Sequence, residues 1–337
     1  MSEIVIEVRR GPLAENLLRG NAAVVGAEGK LLYRIGDPDY FTYMRSTAKP
    51  LQASAAVECG AIDHFKITEA ELAVMCGSHI GDQYHIDALE SILAKLGLSE
   101  SDYTLGEDLS FSEELRRQRL VANVPPRKIY NNCSGKHACM LAICRYMDWE
   151  YGAYQLPEHP VQLLIRKTVA KYAELAEDKL TIGVDGCGVP VFAMPLSRMA
   201  LAYHNLANPV NLPVGRALAA TRITAAMAAY PQMVAGYGCF CTELMQVTKG
   251  RIIGKLGSDG VYCAAVVDGD IAIALKMEDG NMTAMPIVMM RILNDLDLLS
   301  NSEKEQLAKF SAYDNYNCQG DKVGEIRAVF ELSRGDI

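Results

Sequence analysis

A serine and a lysine stand three residues apart in Arg45-Ser46-Thr47-Ala48-Lys49-Pro50, at the head of a run of helix formers that Gly60 can stop. Residues i and i+3 share one face of a helix, so the Ser46 hydroxyl and the Lys49 amine can meet. A hydroxyl is a poor nucleophile at neutral pH. A neighbouring amine takes its proton once burial or positive neighbours bring that amine down from about 10.4. Arg45 is one source of positive charge. Ser46 is expected as N-cap or first-turn residue, with Pro50 in the first turn, where its missing N–H costs little. Alone the spacing is weak, since a chain of this length holds roughly one Ser-x-x-Lys by chance. An N-cap serine followed by a solvated lysine is the plainer reading.

Four further segments change its weight. Met75-Cys76-Gly77-Ser78-His79 ends an apolar helix in small and polar residues, and Gly77 reads by itself as a helix C-cap. Asn132-Cys133-Ser134-Gly135-Lys136-His137 opens a helix. A thiol at a helix N-terminus has its thiolate favoured by the dipole, which suits nucleophilic or metal-binding work. Asp185-Gly186-Cys187-Gly188 is a glycine-flanked loop whose backbone can approach a ligand closely. Gly254-Lys255-Leu256-Gly257 puts a lysine on an expected strand, where a solvated side chain is the ordinary outcome.

The elements that must position these residues follow from pattern. Residues 3–9 alternate like a strand, and 22–26 with 30–35 read as a hairpin around Glu28-Gly29. The middle, from about 47 to 230, is mostly helical, with stretches at 69–76, 84–96, 136–147, 161–176 and 213–229 and turn-rich breaks near 105–112, 123–135 and 183–195. Runs at 243–248, 251–256, 261–267 and 270–276 read as a meander of short strands with turn residues at the joints. A helix over 284–298 follows. Strands, helices, strands, helix: this order predicts an α+β-type α/β protein, with one antiparallel sheet built from both chain ends and a helical middle.

Composition bounds the function. The chain has 337 residues, 50% hydrophobic and 22% charged, with a net charge of -8. That is ordinary for a globular protein with one large unit or two lobes. It offers no basic face for nucleic acid and no cationic run for a membrane. No apolar run approaches the length of a membrane span, and Met1–Arg10 lacks the apolar core of a signal peptide. Ten cysteines in such a chain are expected to be free or metal-bound in a reducing cytoplasm. Cys239-x-Cys241 is expected on one face of an extended run and is given no metal.

Taken together, Ser46-x-x-Lys49, Cys76-Gly77-Ser78-His79, Asn132-Cys133-Ser134-Gly135-Lys136-His137, Asp185-Gly186-Cys187, Met233-Val234-Ala235-Gly236 with Cys241-Thr242, and Gly254-Lys255-Leu256-Gly257 resemble the asparaginase II family, the group typified by the inducible rhizobial L-asparaginase. The resemblance runs from about residue 8 to beyond 280. It implies a fold akin to that of serine β-lactamases and their glutaminase relatives. On that likeness residues 1–337 form a single unit, with a sheet lobe at about 1–45 and 236–337 and a mainly helical lobe at about 46–235. It also implies hydrolysis of L-asparagine to L-aspartate and ammonia by paired Ser–Lys units, Ser46 with Lys49 and Ser78 with Lys255. Ser46 is then the nucleophile and Lys49 its base, while Ser78 and Lys255 relay the proton. The reverse, with Ser78 attacking, stays open. Arg45 and Asp185 are expected to hold the substrate's carboxylate and ammonium groups.

The resemblance further implies a zinc ion on Cys133, Lys136 and Cys187, with water completing the shell, and a homodimer. From the residues alone His137, four beyond Cys133, is the ordinary ligand choice, because an unperturbed lysine costs about 4–5 kcal/mol to hold neutral at pH 7. Other readings are a glutaminase or other small-amide amidohydrolase, a zinc-stabilised non-catalytic binding protein, and a thiol redox sensor using Cys133 and Cys187. A one-methylene difference in substrate is worth only about 1–3 kcal/mol.

Overall fold

The computed structural model describes residues 1–335. Its main antiparallel sheet draws on both chain ends. β1 (Glu3–Arg10), β2 (Leu13–Val25) and β3 (Leu31–Ile35) come from the start of the chain. β7 (Ile252–Gly257), β8 (Val261–Val266), β9 (Ala272–Met277), β10 (Ala312–Tyr316), β11 (Lys322–Ala328) and β12 (Ser333–Arg334) come from its end. The order across the sheet is β10-β11-β1-β2-β9-β8-β7. The long β2 carries it round a corner: its first half pairs with β1, its second half with both β9 and β3. β12 then covers the free side of β3. A second, three-stranded sheet has the order β4-β6-β5, formed by Phe41–Tyr43, Pro190–Pro195 and Thr181–Val184.

The middle of the chain is helical, as the periodicity predicts. Helices span Glu69–Met75, Gln83–Leu96, Ser134–Tyr146, Pro160–Tyr172 and Val214–Ala229. Helix Leu196–Ala207 was not foreseen. It is buried along almost its whole length and lies on the sheet against β2, β8 and β9. The break expected over 183–195 hides β6, a strand buried on both faces and so without alternation.

Two local expectations are overturned. Residues 243–248 are not a strand: Phe240–Val247 is a helix that buries Phe240, Cys241, Leu244 and Met245, a helical rather than a two-residue period. It ends at Lys249-Gly250, both in left-handed conformation. Cys239 is therefore the residue before a helix and Cys241 lies inside it, so the two do not share an extended face. Gly77 is not a left-handed cap either. Cys76 closes its helix, and Gly77 is needed because a Cβ there would sit 2.7 Å from the Met233 carbonyl oxygen and 2.8 Å from that of Val234.

Candidate active site

The serine–lysine segment begins with a 3-10 turn, Arg45–Ala48, and only then becomes the helix Lys49–Glu58, whose cap position is Ala48. Ser46 is thus one turn before the helix rather than its cap. The turn is pinned from three sides. The Met44 N–H donates to Phe192 O of β6 at 2.8 Å, the Tyr203 hydroxyl donates to Thr47 O at 2.7 Å, and Gly257, at the end of β7, approaches the Met44 carbonyl so closely that a Cβ would lie 2.8 Å from its oxygen. Arg45 takes a positive φ of 51°, a strained conformation for a residue with a side chain. Strain of this kind persists only where the surroundings over-determine it, and here two carboxylates do so. Arg45 Nε donates to Asp185 Oδ1 at 3.1 Å, and its Nη1 is paired with Asp259.

Lys49 and Lys255 converge on one hydroxyl. Lys49 Nζ is 2.9 Å from Ser78 Oγ, and so is Lys255 Nζ. All three residues are buried to 1% exposure or less. The lysine contacts limit what each nitrogen can do. Lys49 also donates to Gly77 O at 2.8 Å and to Asn132 O at 2.9 Å, and a carbonyl can only accept. Two of its hydrogens are therefore committed, and its third position faces Ser78. In the ammonium that position donates to Ser78; in the neutral amine it is the lone pair that receives the Ser78 proton. Lys255 donates to Leu256 O at 2.8 Å and keeps the rest of its nitrogen for Ser78.

Burial lowers both amines. For Lys255 the effect brings the amine to about 7, reinforced by the Lys49 charge and opposed by the Cys241 thiol. Lys49 is lowered as well, first by burial, but Cys133 beside it works the other way. Burial, more than mutual repulsion, is what makes a neutral lysine accessible here.

Ser46 is also buried, at 4% exposure, and its side chain makes no hydrogen bond among the described residues. The direct serine contact of Lys49 is therefore Ser78, not the serine three residues before it. Sequence spacing finds the helical neighbour; it cannot find a contact made across 29 residues, or the 177 between Ser78 and Lys255.

The second cluster lies beside the first. Cys133, Asp185 and Cys187 bring a ligand atom each to within 4.8 Å of one another. Cys133 is the residue before helix Ser134–Tyr146, and Asp185 and Cys187 sit on the loop between β5 and β6. The Cys187 thiol donates to Asp185 Oδ2 at 3.8 Å. With Cys187 beside it and the Lys49 and Lys136 charges close by, the Cys133 thiol is held below the ordinary thiol range in spite of burial. Lys136 Nζ donates to Asp185 Oδ2 at 3.0 Å. Burial alone would lower that amine, but Cys133, Cys187 and Asp185 together hold it above its usual value. Burial would likewise raise the Asp185 carboxyl, but Lys136 and Arg45 keep it well below the carboxylate norm, so Asp185 is an anion at any working pH. His137 is not among the clustered donors, and its Nδ1 is 2.6 Å from the Tyr154 hydroxyl.

Sequence reasoning missed Asp259, which read only as a turn residue in Ser258-Asp259-Gly260, and the Gly77 and Asn132 carbonyls that aim Lys49. No side-chain pattern encodes a carbonyl. For Asp259 the one available signal was its place four residues after Lys255.

No curated protein matches the sequence. Among solved structures, a β-lactamase from Mycobacterium bovis is 16% identical, with a TM-score of 0.39 over 87% of this chain and 95% of that one. Mglu in its native form at 4.3 M NaCl is 14% identical, with a TM-score of 0.38 over 83% of this chain and 61% of that one. Mglu in its tris and glutamate form is 16% identical, with a TM-score of 0.37 over 87% and 62%. The chain thus spans about six tenths of the Mglu chains. At the level of family, the description L-asparaginase II matches residues 6–328, a span that holds both lysines, both serines and the thiol pair. With nearly its whole length inside that match, the chain belongs to the L-asparaginase II family.

Proposed function

We propose that this amidohydrolase-family chain hydrolyses L-asparagine to L-aspartate and ammonia, with Ser46 as nucleophile and Lys49, Ser78 and Lys255 as a proton relay. The observation that carries the reading is the placement of Ser78 Oγ at 2.9 Å from both lysine nitrogens. Lys49 stands among anionic neighbours and Lys255 does not, so Lys255 is the amine that gives up its proton first. Lys49 then passes its own proton to Ser78 as the Ser78 proton moves to Lys255. That leaves Lys49 neutral and Lys255 charged, with no net change in the pocket. For attack, the lone pair of neutral Lys49 turns from Ser78 to the uncommitted Ser46 hydroxyl, three residues before it, and takes its proton as Ser46 Oγ adds to the carboxamide carbon. The same proton goes to the departing nitrogen, and ammonia leaves an aspartyl ester on Ser46. Water then attacks the ester carbonyl as the same relay takes its proton, and that proton returns to Ser46 Oγ as the ester C–O bond breaks and aspartate is freed.

Arg45 and Asp185 suit the amino-acid end of the substrate. Arg45 retains three N–H groups beyond those on Asp185 and Asp259, enough for a carboxylate. The persistent Asp185 anion suits an α-ammonium group.

The donors around Cys133 fit zinc. Two thiols, one already driven toward thiolate, form a soft set beside an oxygen donor. Cys133 and Cys187 would hold the ion with Lys136 as third ligand. Lys136 would ligate only as a neutral amine, which would give up its ion pair with Asp185. When bound, zinc supplies a fixed positive charge that orders the loop and polarises what touches it.

A second reading has Ser78 attacking, favoured by its direct contact with both lysines. Against it, Ser78 is enclosed by those lysines, whereas the Ser46 hydroxyl is uncommitted. Acid quenching during turnover, followed by peptide mass mapping, decides between them. An aspartyl ester on Ser46 is expected, an ester on Ser78 exchanges the two serines, and absence of ammonia release from asparagine overturns the substrate.

A further inference from the structure

We infer that His79 and Ser134 are positioning residues that bolt the turn carrying Ser78 to the turn carrying Cys133. The inference rests on the proposed role of Ser78 and of the thiol cluster. His79 Nε2 lies 2.8 Å from Ser134 Oγ, and neither residue is exposed at all. Each directly follows a residue of the site, Ser78 in one case and Cys133 in the other.

The direction of the bond is fixed by its surroundings. Ser134 Oγ donates its only hydrogen to Ile129 O at 3.1 Å, so it must accept from His79 Nε2–H. The His79 tautomer follows: Nε2 carries the proton, and Nδ1, which has no partner among the described residues, is bare. The ring is neutral, because burial pulls its pKa far below the usual range.

The Ser78 N–H donates to Val234 O at 2.8 Å and the Ile80 N–H to Ala235 O at 3.0 Å, so the main chain is held on both sides of His79. The two side chains meet different partners, Ser78 the lysines and His79 Ser134. The His79 ring also stacks on His85, with centroids 5.2 Å apart, and His85 Nε2 is bonded to Gln232 O at 2.9 Å. The Cys133 turn is equally set: the Cys133 N–H donates to Asn131 Oδ1 at 3.0 Å and the Ser134 N–H to Asn131 O at 2.9 Å.

The same two turns are joined once more by Lys49, through Gly77 O and Asn132 O. The bolt therefore holds constant the spacing between two carbonyls that aim the Lys49 nitrogen at Ser78. If it is loosened, the lysine loses its aim, while the substrate-holding groups, Arg45 and Asp185, hydrogen-bond to neither bolt residue. The expected signature is a fall in kcat with little change in KM.

Three variants test this: Ser134→Ala, His79→Leu and His79→Gln, whose amide nitrogen can stand where Nε2 stands. Ammonia release, thermal midpoint and the absorption spectrum of the cobalt(II)-loaded protein are read on each. Ser134→Ala and His79→Leu should lose roughly tenfold to a hundredfold in kcat with KM within about twofold, and His79→Gln should recover most of the loss. Ser134→Ala should also shift the thiolate-to-cobalt band, because Ser134 sets the main chain at Cys133. A kcat within about twofold of the parent in Ser134→Ala, a loss that His79→Gln does not restore, or an unmoved cobalt band overturns the inference. The cobalt band is read whether or not asparagine is turned over, so failure of the asparaginase reading and failure of the bolt are separate results.

Discussion

Replacing Lys255 by methionine should abolish most activity and yet make the protein more stable near neutral pH. Lys255 is fully buried on β7, and its polar contacts are Leu256 O and Ser78 Oγ, neither of them a charge. Burial first, with the Lys49 charge adding to it, brings its amine to about 7. In the unfolded chain the same amine holds its proton up to about 10.4. Between those two values the unfolded state binds more protons than the folded state. Stability therefore rises with pH through that window and is lowest at its acid end. The deficit is about 4 kcal/mol at pH 7 and about 2 kcal/mol at pH 9. Methionine has similar length and no charge, so it removes the deficit. It also leaves one carbonyl and one hydroxyl short of a donor, which costs about 1–3 kcal/mol. Lys255→Met should then exceed the parent by about 2 kcal/mol at pH 7 and show little or no advantage at pH 9. Its rate should fall by about 10²–10⁴. Urea unfolding at the two pH values reads the difference. A variant less stable than the parent at pH 7, or a gap that is the same at both, would refute the view that burial keeps this lysine poised to lose its proton.

Three further outcomes are expected. The pH dependence of kcat/KM should rise through a midpoint near 7, set by Lys255, and level off on the alkaline side; a midpoint above 9 would contradict a relay ending at that amine. Purified protein should carry about one zinc per chain by elemental analysis, depleted in Cys133→Ser and Cys187→Ser and retained in His137→Ala, whose ring is turned toward Tyr154. Gly77→Ala should destabilise by about 1–3 kcal/mol and lose activity, because the new Cβ meets two backbone carbonyl oxygens and must displace the turn that carries Ser78; unfolding midpoint and rate together check it.

The parts of this molecule that were legible in its sequence are those written in local spacing. Ser46 and Lys49 share a short segment, the apolar periods of 69–76, 84–96 and 213–229 mark helices, and the turn residues between 250 and 270 mark the β7–β9 meander. What local spacing cannot carry was missed or misplaced. The partnership of Ser78 with Lys49 and Lys255 exists only once three distant segments are packed together. The run 243–248 reads as a strand, and lies mostly in helix Phe240–Val247, because its apolar residues suit either period over so short a stretch. β10 and β11 were invisible because they are half-exposed strands rich in polar residues, whose order comes from pairing with each other and with β1. The left-handed backbone of Arg45 is set by Asp185 and Asp259, 140 and 214 residues away, and no property of arginine foretells it.

The most direct measurement is ammonia release by the purified protein from L-asparagine and, in parallel, from L-glutamine and other small amides. The pocket described here should turn over L-asparagine with a kcat/KM at least about tenfold above that for glutamine, the discrimination one methylene can supply. Comparable rates on glutamine, or ammonia from another amide but none from asparagine, would contradict the assignment of this Ser–Lys relay to asparagine.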